Sequence, residues 1–256
     1  MTRRAWRAFA ALRDQYRDFT KTLERELPEL QAVQQGLVNR RRGPSYTVET
    51  PVVYNHALDD VHAGDDIRLI LVADNPGRRE QAAENRRYLV GPSGKIAEKF
   101  FRDNPALGID FRRNVIILNK TPIHTPRTAE LRELLRAGGD RGAIAAAIIE
   151  SQRVMARLIR EFHRALSPDT APVWITGYSE MKDGGIFEAF TKTLRELYAP
   201  GTGGTENQAG RRLFLFRHFS MNQFTIDLRQ KAAPGESTAE TLARIGTAYR
   251  ERFLGW

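Results

Sequence analysis

The sequence predicts an α/β fold, a three-layer α/β/α sandwich around a central four-stranded, mainly parallel sheet. Three observations predict it. Four short β-rich runs, IRLILVA, NVIILN, PVWITG and RRLFLF, are close to continuously apolar, as strands covered on both faces must be. They alternate with helical patterns, the signature of parallel strands joined by helical crossovers. Turn-forming residues follow each run: DNPG, NKTP, GYSE and RHFSMNQ.

Taken in order, residues 3–27 repeat apolar side chains at Trp6, Phe9, Leu12, Tyr16, Phe19 and Leu23, the spacing of an amphipathic helix with an arginine-rich outer face. QGLVNRRRGPS reads as a turn with a basic run at Arg40, Arg41 and Arg42. Helices are expected over Gly94–Arg102, Thr128–Arg136, Gly142–Leu166, Gly185–Tyr198 and Thr238–Phe253, and GTGGTENQAG reads as a mobile loop. A length of 256 residues suits one domain, residues 1–256, with residues 1–45 as a helical extension packed on it.

A net charge of +9 and a pI near 10.1 point to a polyanionic partner, nucleic acid first and an acidic membrane surface second. With no cysteine, the chain excludes disulfides, cysteine nucleophiles and cysteine-ligated clusters, which suits a cytoplasmic setting. No apolar run is long enough to cross a bilayer, and MTRRAWRAFAALRDQ reads as a charged helix rather than a leader. A soluble monomer without a cofactor is expected. No His and carboxylate spacing suggests a metal site.

Ligands of such sheets bind beyond the carboxyl ends of the strands. GPSGK, residues 91–95, invites a phosphate-loop reading, but Leu89 stands where that motif needs its first glycine and Ile96 where it needs Ser or Thr. A helix start that could hold one DNA phosphate remains, at Ser93 and Lys95.

ADNPG followed by Glu80, then YLVGPSGKIAEKF, resembles the first segment of the uracil-DNA glycosylase superfamily, mixing the GEAPG pattern of its thermostable branches with the GxNPG pattern of its single-strand-selective and mismatch-specific branches. NVIILNKTPIHTP is similar to the strand that ends on a base-reading asparagine, and PVWITG to the strand that ends on a glycine, here Gly177. RRLFLFRHFSMNQ resembles the strand that delivers an HPS motif, with Phe219 in place of proline. The likeness runs in order from Ile67 to Asn222. Departures are the missing cluster cysteines, a loop between Glu80 and Gly91 two residues longer than the pattern, and the stacking phenylalanine falling on Leu89 beside Tyr88.

The resemblance implies a metal-independent DNA glycosylase of base excision repair that flips uracil or another deaminated base into a pocket. Breaking an N-glycosidic bond develops positive charge on the sugar and negative charge on the base. Asp74, with Asn75, then serves the sugar and the attacking water. His218 donates to the base oxygen, a contribution of about 2.7–4 kcal/mol for a well-aimed donor. Asn119 reads the base edge, with Gly77, Tyr88 and Leu89 lining the pocket and Phe111 as a second candidate stacking ring. Arg78, Arg79, Ser93, Lys95, Arg217, Ser220, Met221 and Asn222 contact DNA, single-stranded or mismatched, with Met221 and Asn222 entering the vacated stack. Plainer alternatives stand beside these roles: Asp74 as a turn former, Asn119 satisfying backbone groups, Phe111 in the core. A glycosylase for hypoxanthine or xanthine, and a nucleic-acid-binding relative without excision activity, are the competing functions.

Overall fold

The computed structural model describes residues 1–136, 142–167, 170–199 and 209–256. Most of GTGGTENQAG, read as a loop, lies outside them. Eight α-helices of six residues or more are described: α1 (Arg3–Glu26), α2 (Leu30–Arg40), α3 (Pro92–Asp103), α4 (Leu131–Arg136), α5 (Gly142–Leu166), α6 (Glu188–Tyr198), α7 (Gln223–Lys231) and α8 (Thr238–Leu254). The four strands are β1 (Leu69–Ala73), β2 (Val115–Asn119), β3 (Val173–Thr176) and β4 (Leu213–Phe216), in the order β2-β1-β3-β4. All pairings are parallel.

Alternation along the strands builds two cores. Ile70, Val72, Ile116, Leu118, Val173, Ile175, Leu213 and Leu215 pack with Phe9 and Tyr16 of α1, Ile148 and Ile159 of α5, and Phe190 of α6. The other face presents Leu69, Leu71, Ala73, Ile117, Trp174, Phe214 and Phe216 to an aromatic layer of Phe100, Phe101, Phe111, Phe219 and Phe224. The fold is therefore a three-layer α/β/α sandwich. Phe111 lies in that second core, stacked 5.6 Å from Phe101, so its plainer reading holds.

Local signals explain the ends. Thr2 caps α1 by accepting from the Ala5 N–H at 3.1 Å, and Ser237 with Glu240 forms a reciprocal capping box on α8. Two helices depart from expectation. The first six residues of QGLVNRRRGPS belong to α2, whose Leu30, Leu37 and Val38 are buried despite the interrupting Gly36. The helix α7 follows directly on the RHFSMNQ loop, with Phe224 as its apolar anchor.

At the outer edge of the sheet, Asn55 is fully buried against β2. Its Nδ2 donates to the Ile117 carbonyl at 2.8 Å, while its Oδ1 accepts from the Tyr88 and Ala57 N–H groups. At the other edge α8 packs along β4. No helix among the described residues is long and apolar enough to cross a membrane.

Candidate active site at the carboxyl rim of the sheet

Strand register sets a row of functional groups. Ala73 pairs with Asn119, Val72 with Ile175, and Thr176 with Phe216. Continuing each pairing past the strand ends brings Lys120, Asp74, Gly177 and Arg217 into line, with His218 next. Four parallel strands present all their carboxyl ends on this one rim, which is why residues far apart in sequence meet here.

Lys120 is fully buried and its ammonium donates to the Asp74 carboxylate, to the Thr176 carbonyl at 2.5 Å and to the Gly177 carbonyl at 3.4 Å. The Phe187 ring lies 4.7 Å from Nζ. Burial pushes the lysine below its ordinary pKa, and the facing Asp74 pulls it back up. Gly177 is required beside this pair: its φ is +78°, and a Cβ there would stand 2.4 Å from Asp74 Oδ1.

His218 lies within electrostatic reach of both Asp74 and Lys120. The Ser220 N–H donates to His218 Nδ1 at 3.0 Å, so that nitrogen is unprotonated and the neutral ring carries its proton on Nε2. Burial lowers the histidine pKa, Asp74 opposes this and Lys120 adds to it. The ring is thus a neutral donor at the rim. Phe219 holds the next position from below, buried and stacked 4.3 Å from Phe224, which accounts for a ring where the resembling motif has proline.

Asn75 ties the first loop to the second. Its Nδ2 donates to Thr125 Oγ1 at 2.9 Å and the Ile123 carbonyl at 3.3 Å, leaving a buried Oδ1 without a partner. Asn119, at the end of β2, is 1% exposed with its Nδ2 also unpartnered. Leaving such an amide group unpaired typically costs about 1–3 kcal/mol, and both lie at this rim. Strand alternation turns Asn119 toward the aromatic layer and Lys120 toward α6. A molecule touching both Asp74 and Asn119 must therefore lie across the strand ends.

Loop residues divide. Tyr88 does not offer a stacking face: it is 1% exposed, donates to the Val53 carbonyl at 2.5 Å and accepts from the Tyr16 hydroxyl. Leu89 is likewise buried, in the aromatic layer, its backbone at φ +52°. The physical reason is Glu80, buried, whose carboxylate accepts from Gly77 N–H at 2.8 Å and Leu89 N–H at 2.7 Å and draws the loop shut. Burial raises the Glu80 pKa to about 7. The Gly77 N–H is taken by the same carboxylate and is not free for a ligand.

Arg78 and Arg79 are exposed beside this loop, and Lys95 is exposed in the first turn of α3 with Ser93 half-buried. Arg217 is half-exposed and directed to Asp227 at 3.4 Å. Met221 is 80% exposed, and it and Asn222 both have left-handed backbones, φ +50° and +58°. His124 proves structural: its Nδ1–H donates to the Pro76 carbonyl at 2.8 Å, and burial lowers its pKa to about 4.

The residue missed in the sequence is Lys120. Its signal was present, a charged residue directly after the strand-ending Asn119 in NKTP. A hollow of about 970 Å³ between α1 and the end of α5 lies at the opposite rim, lined by Asp66 and Ile67 ahead of β1. Among the described residues no group of three or more His, Cys, Asp or Glu is arranged to hold a metal ion. No protein-family model matches the chain, and no curated protein matches it significantly.

Proposed function

We propose that this chain is a DNA glycosylase that hydrolyses the N-glycosidic bond of uracil or another deaminated base flipped onto the rim formed by the strand ends. The carrying observation is the convergence of a counter-charged carboxylate, Asp74 on Lys120, with a neutral imidazole donor, His218. An anion on one side suits the positive charge that develops on the sugar. An Nε2–H donor on the other suits the negative charge that develops on the base. The buried, unpartnered Asn75 Oδ1 and Asn119 Nδ2 add an acceptor and a donor beside these groups, which a polar ring would meet only once they are uncovered.

The ordered resemblance of Ile67–Asn222 to uracil-DNA glycosylases supports this reading. So does the exposed Met221 on a strained two-residue turn, a shape suited to entering a base stack. Base flipping costs least in single-stranded or mismatched DNA, which makes these the preferred substrates.

The test incubates the protein with oligonucleotides carrying uracil, hypoxanthine or xanthine, then opens abasic sites with alkali. Strand breaks are expected with at least one base. His218→Ala should slow them by about 10²–10³-fold, and Asp74→Asn at least as much, with DNA binding retained. Tight binding with no breaks for any base would reject excision in favour of a silent binding relative. Breaks at hypoxanthine or xanthine alone would reassign the base.

A further inference from the structure

Residues 46–50 form a strap that joins the N-terminal helices to the first catalytic loop. On one side α2 holds it with glutamines. Gln31 Nε2 donates to the Val48 carbonyl at 2.7 Å, Gln35 Nε2 donates to the Tyr46 carbonyl at 3.0 Å, and Gln35 Oε1 accepts from the Val48 N–H at 2.8 Å. On the other side Gln81 of the loop accepts from the Glu49 N–H at 2.7 Å and donates to the Thr47 carbonyl at 3.3 Å. The Tyr46 hydroxyl donates to His124 Nε2 at 3.0 Å, and His124 in turn holds the Pro76 carbonyl of the loop. The strap is therefore tied by hydrogen bonds to the loop that carries Asp74.

Three cations, Arg41, Arg78 and Arg79, gather beside this strap, and exposed Arg42 adjoins Arg41 in the chain. The Arg78 guanidinium carbon lies over the Tyr46 ring, 5.1 Å from its centroid, a cation–π contact. Arg41 also lies within electrostatic reach of Tyr46. Its Nε is shut off from water with no hydrogen-bond partner. Flanking cations are neutralised, Arg40 by Glu133 and Arg87 by Asp60, yet Arg41, Arg42, Arg78 and Arg79 pair with no carboxylate among the described residues. Two carboxylates, Glu49 and Glu84, also line the space between strap and loop, accepting from the Ala83 N–H and the Asn85 amide, and Glu130 nearby accepts from the Arg127 N–H; none of the three closes an ion pair with these arginines. Between strap and loop opens a polar hollow of about 600 Å³, lined in part by Tyr46, Thr47, Arg78, Arg79, Gln81 and Asn85.

We propose that the strap is a second nucleic-acid subsite, in which Arg41, Arg42, Arg78 and Arg79 grip successive phosphates of the single strand leading away from the flipped nucleotide. Guanidinia without a carboxylate partner, one of them held over a tyrosine ring, suit phosphate oxygens better than they suit one another, and a bound backbone relieves their repulsion. The inference rests on the glycosylase reading and names the path of its substrate.

The test measures binding rather than excision, using uracil-free single strands. The wild-type protein is compared with Arg41→Ala/Arg42→Ala on a trinucleotide and on a strand of about fifteen nucleotides, a span that covers the usual site sizes. The long strand should bind the wild type more tightly, and the double variant should lose most of that gain. Each single-strand phosphate contact adds about 0.7 to the slope of log affinity against log salt, so the variant's slope should be shallower by about 1.4. Arg41→Lys/Arg42→Lys should restore the slope, and thermal melts establish that each variant is folded. An unchanged slope and an unchanged length gain would overturn the subsite. So would tight binding of anionic vesicles or an acidic peptide by a wild type that ignores DNA. If the slope changes as expected but no base is ever excised, the subsite stands and the glycosylase reading falls; excision with an unaltered slope does the reverse.

Discussion

An ammonium with no access to water needs oxygens around it, and Lys120 has three: a carboxylate and the two carbonyls that end β3. The pair is both tether and liability. Removing one partner of a buried ion pair typically costs about 3–5 kcal/mol, because the other is left uncompensated. Lys120→Met should therefore destabilise the protein by an amount near that range. The double change Lys120→Met/Asp74→Asn should cost clearly less than the sum of the single changes, by on the order of 2 kcal/mol, in urea unfolding. Strict additivity would mean that Lys120 serves the β3 carbonyls alone. Asp74, Asn119 and His218 were legible in the sequence because each follows a recognisable strand. Lys120 was not, because a lysine after a strand is ordinarily a solvated charge and only the register reveals its carboxylate partner. The burial of Tyr88 was equally hidden, since its partner Tyr16 is 72 positions away.

The loop from Gly77 to Leu89 and the start of α3 form one element in practice. The Leu89 carbonyl sits so close over the first turn that a Cβ on Gly94 would lie 1.6 Å from it. The glycine of GPSGK is thus explained by this approach, without a phosphate. Gly94→Ala should force loop and helix apart and cost about 3 kcal/mol or more, at the upper end of overpacking effects, read from urea denaturation. A neutral substitution would mean that the approach is not obligatory. The strands and the long helices α1, α5 and α8 could be read directly, since their apolar residues keep a single period. The helices α2 and α7 could not: the first is interrupted by glycine and buries an amide, Gln34, and the second carries Phe224 as its only fully buried apolar side chain.

Across the whole molecule, buried imidazoles make stability depend on pH. His163 and His124 have pKa values lowered to about 3 and about 4 by burial, with Arg160 and Arg212 adding to the effect on His163. Below the ordinary value of 6.5 the unfolded chain takes up protons that the folded chain refuses, so this stability is present above pH 6.5 and drains away as pH falls through it. Glu80 acts in the opposite sense between about 4.5 and 7, where the folded state holds the proton more tightly. Urea unfolding from pH 7 to 4 should show a net loss, shallower in His163→Gln than in wild type; equal slopes would exclude His163 as a source. The sandwich and its rim were thus visible from patterned residues, while the electrostatics required packing. The Asn55 amide occupies the outward-facing Ile117 carbonyl of the outermost strand. A neighbouring molecule seeking to add its own strand there meets a group already spoken for, and with α8 shielding the far side, crowded copies lack an open seam along which to polymerise.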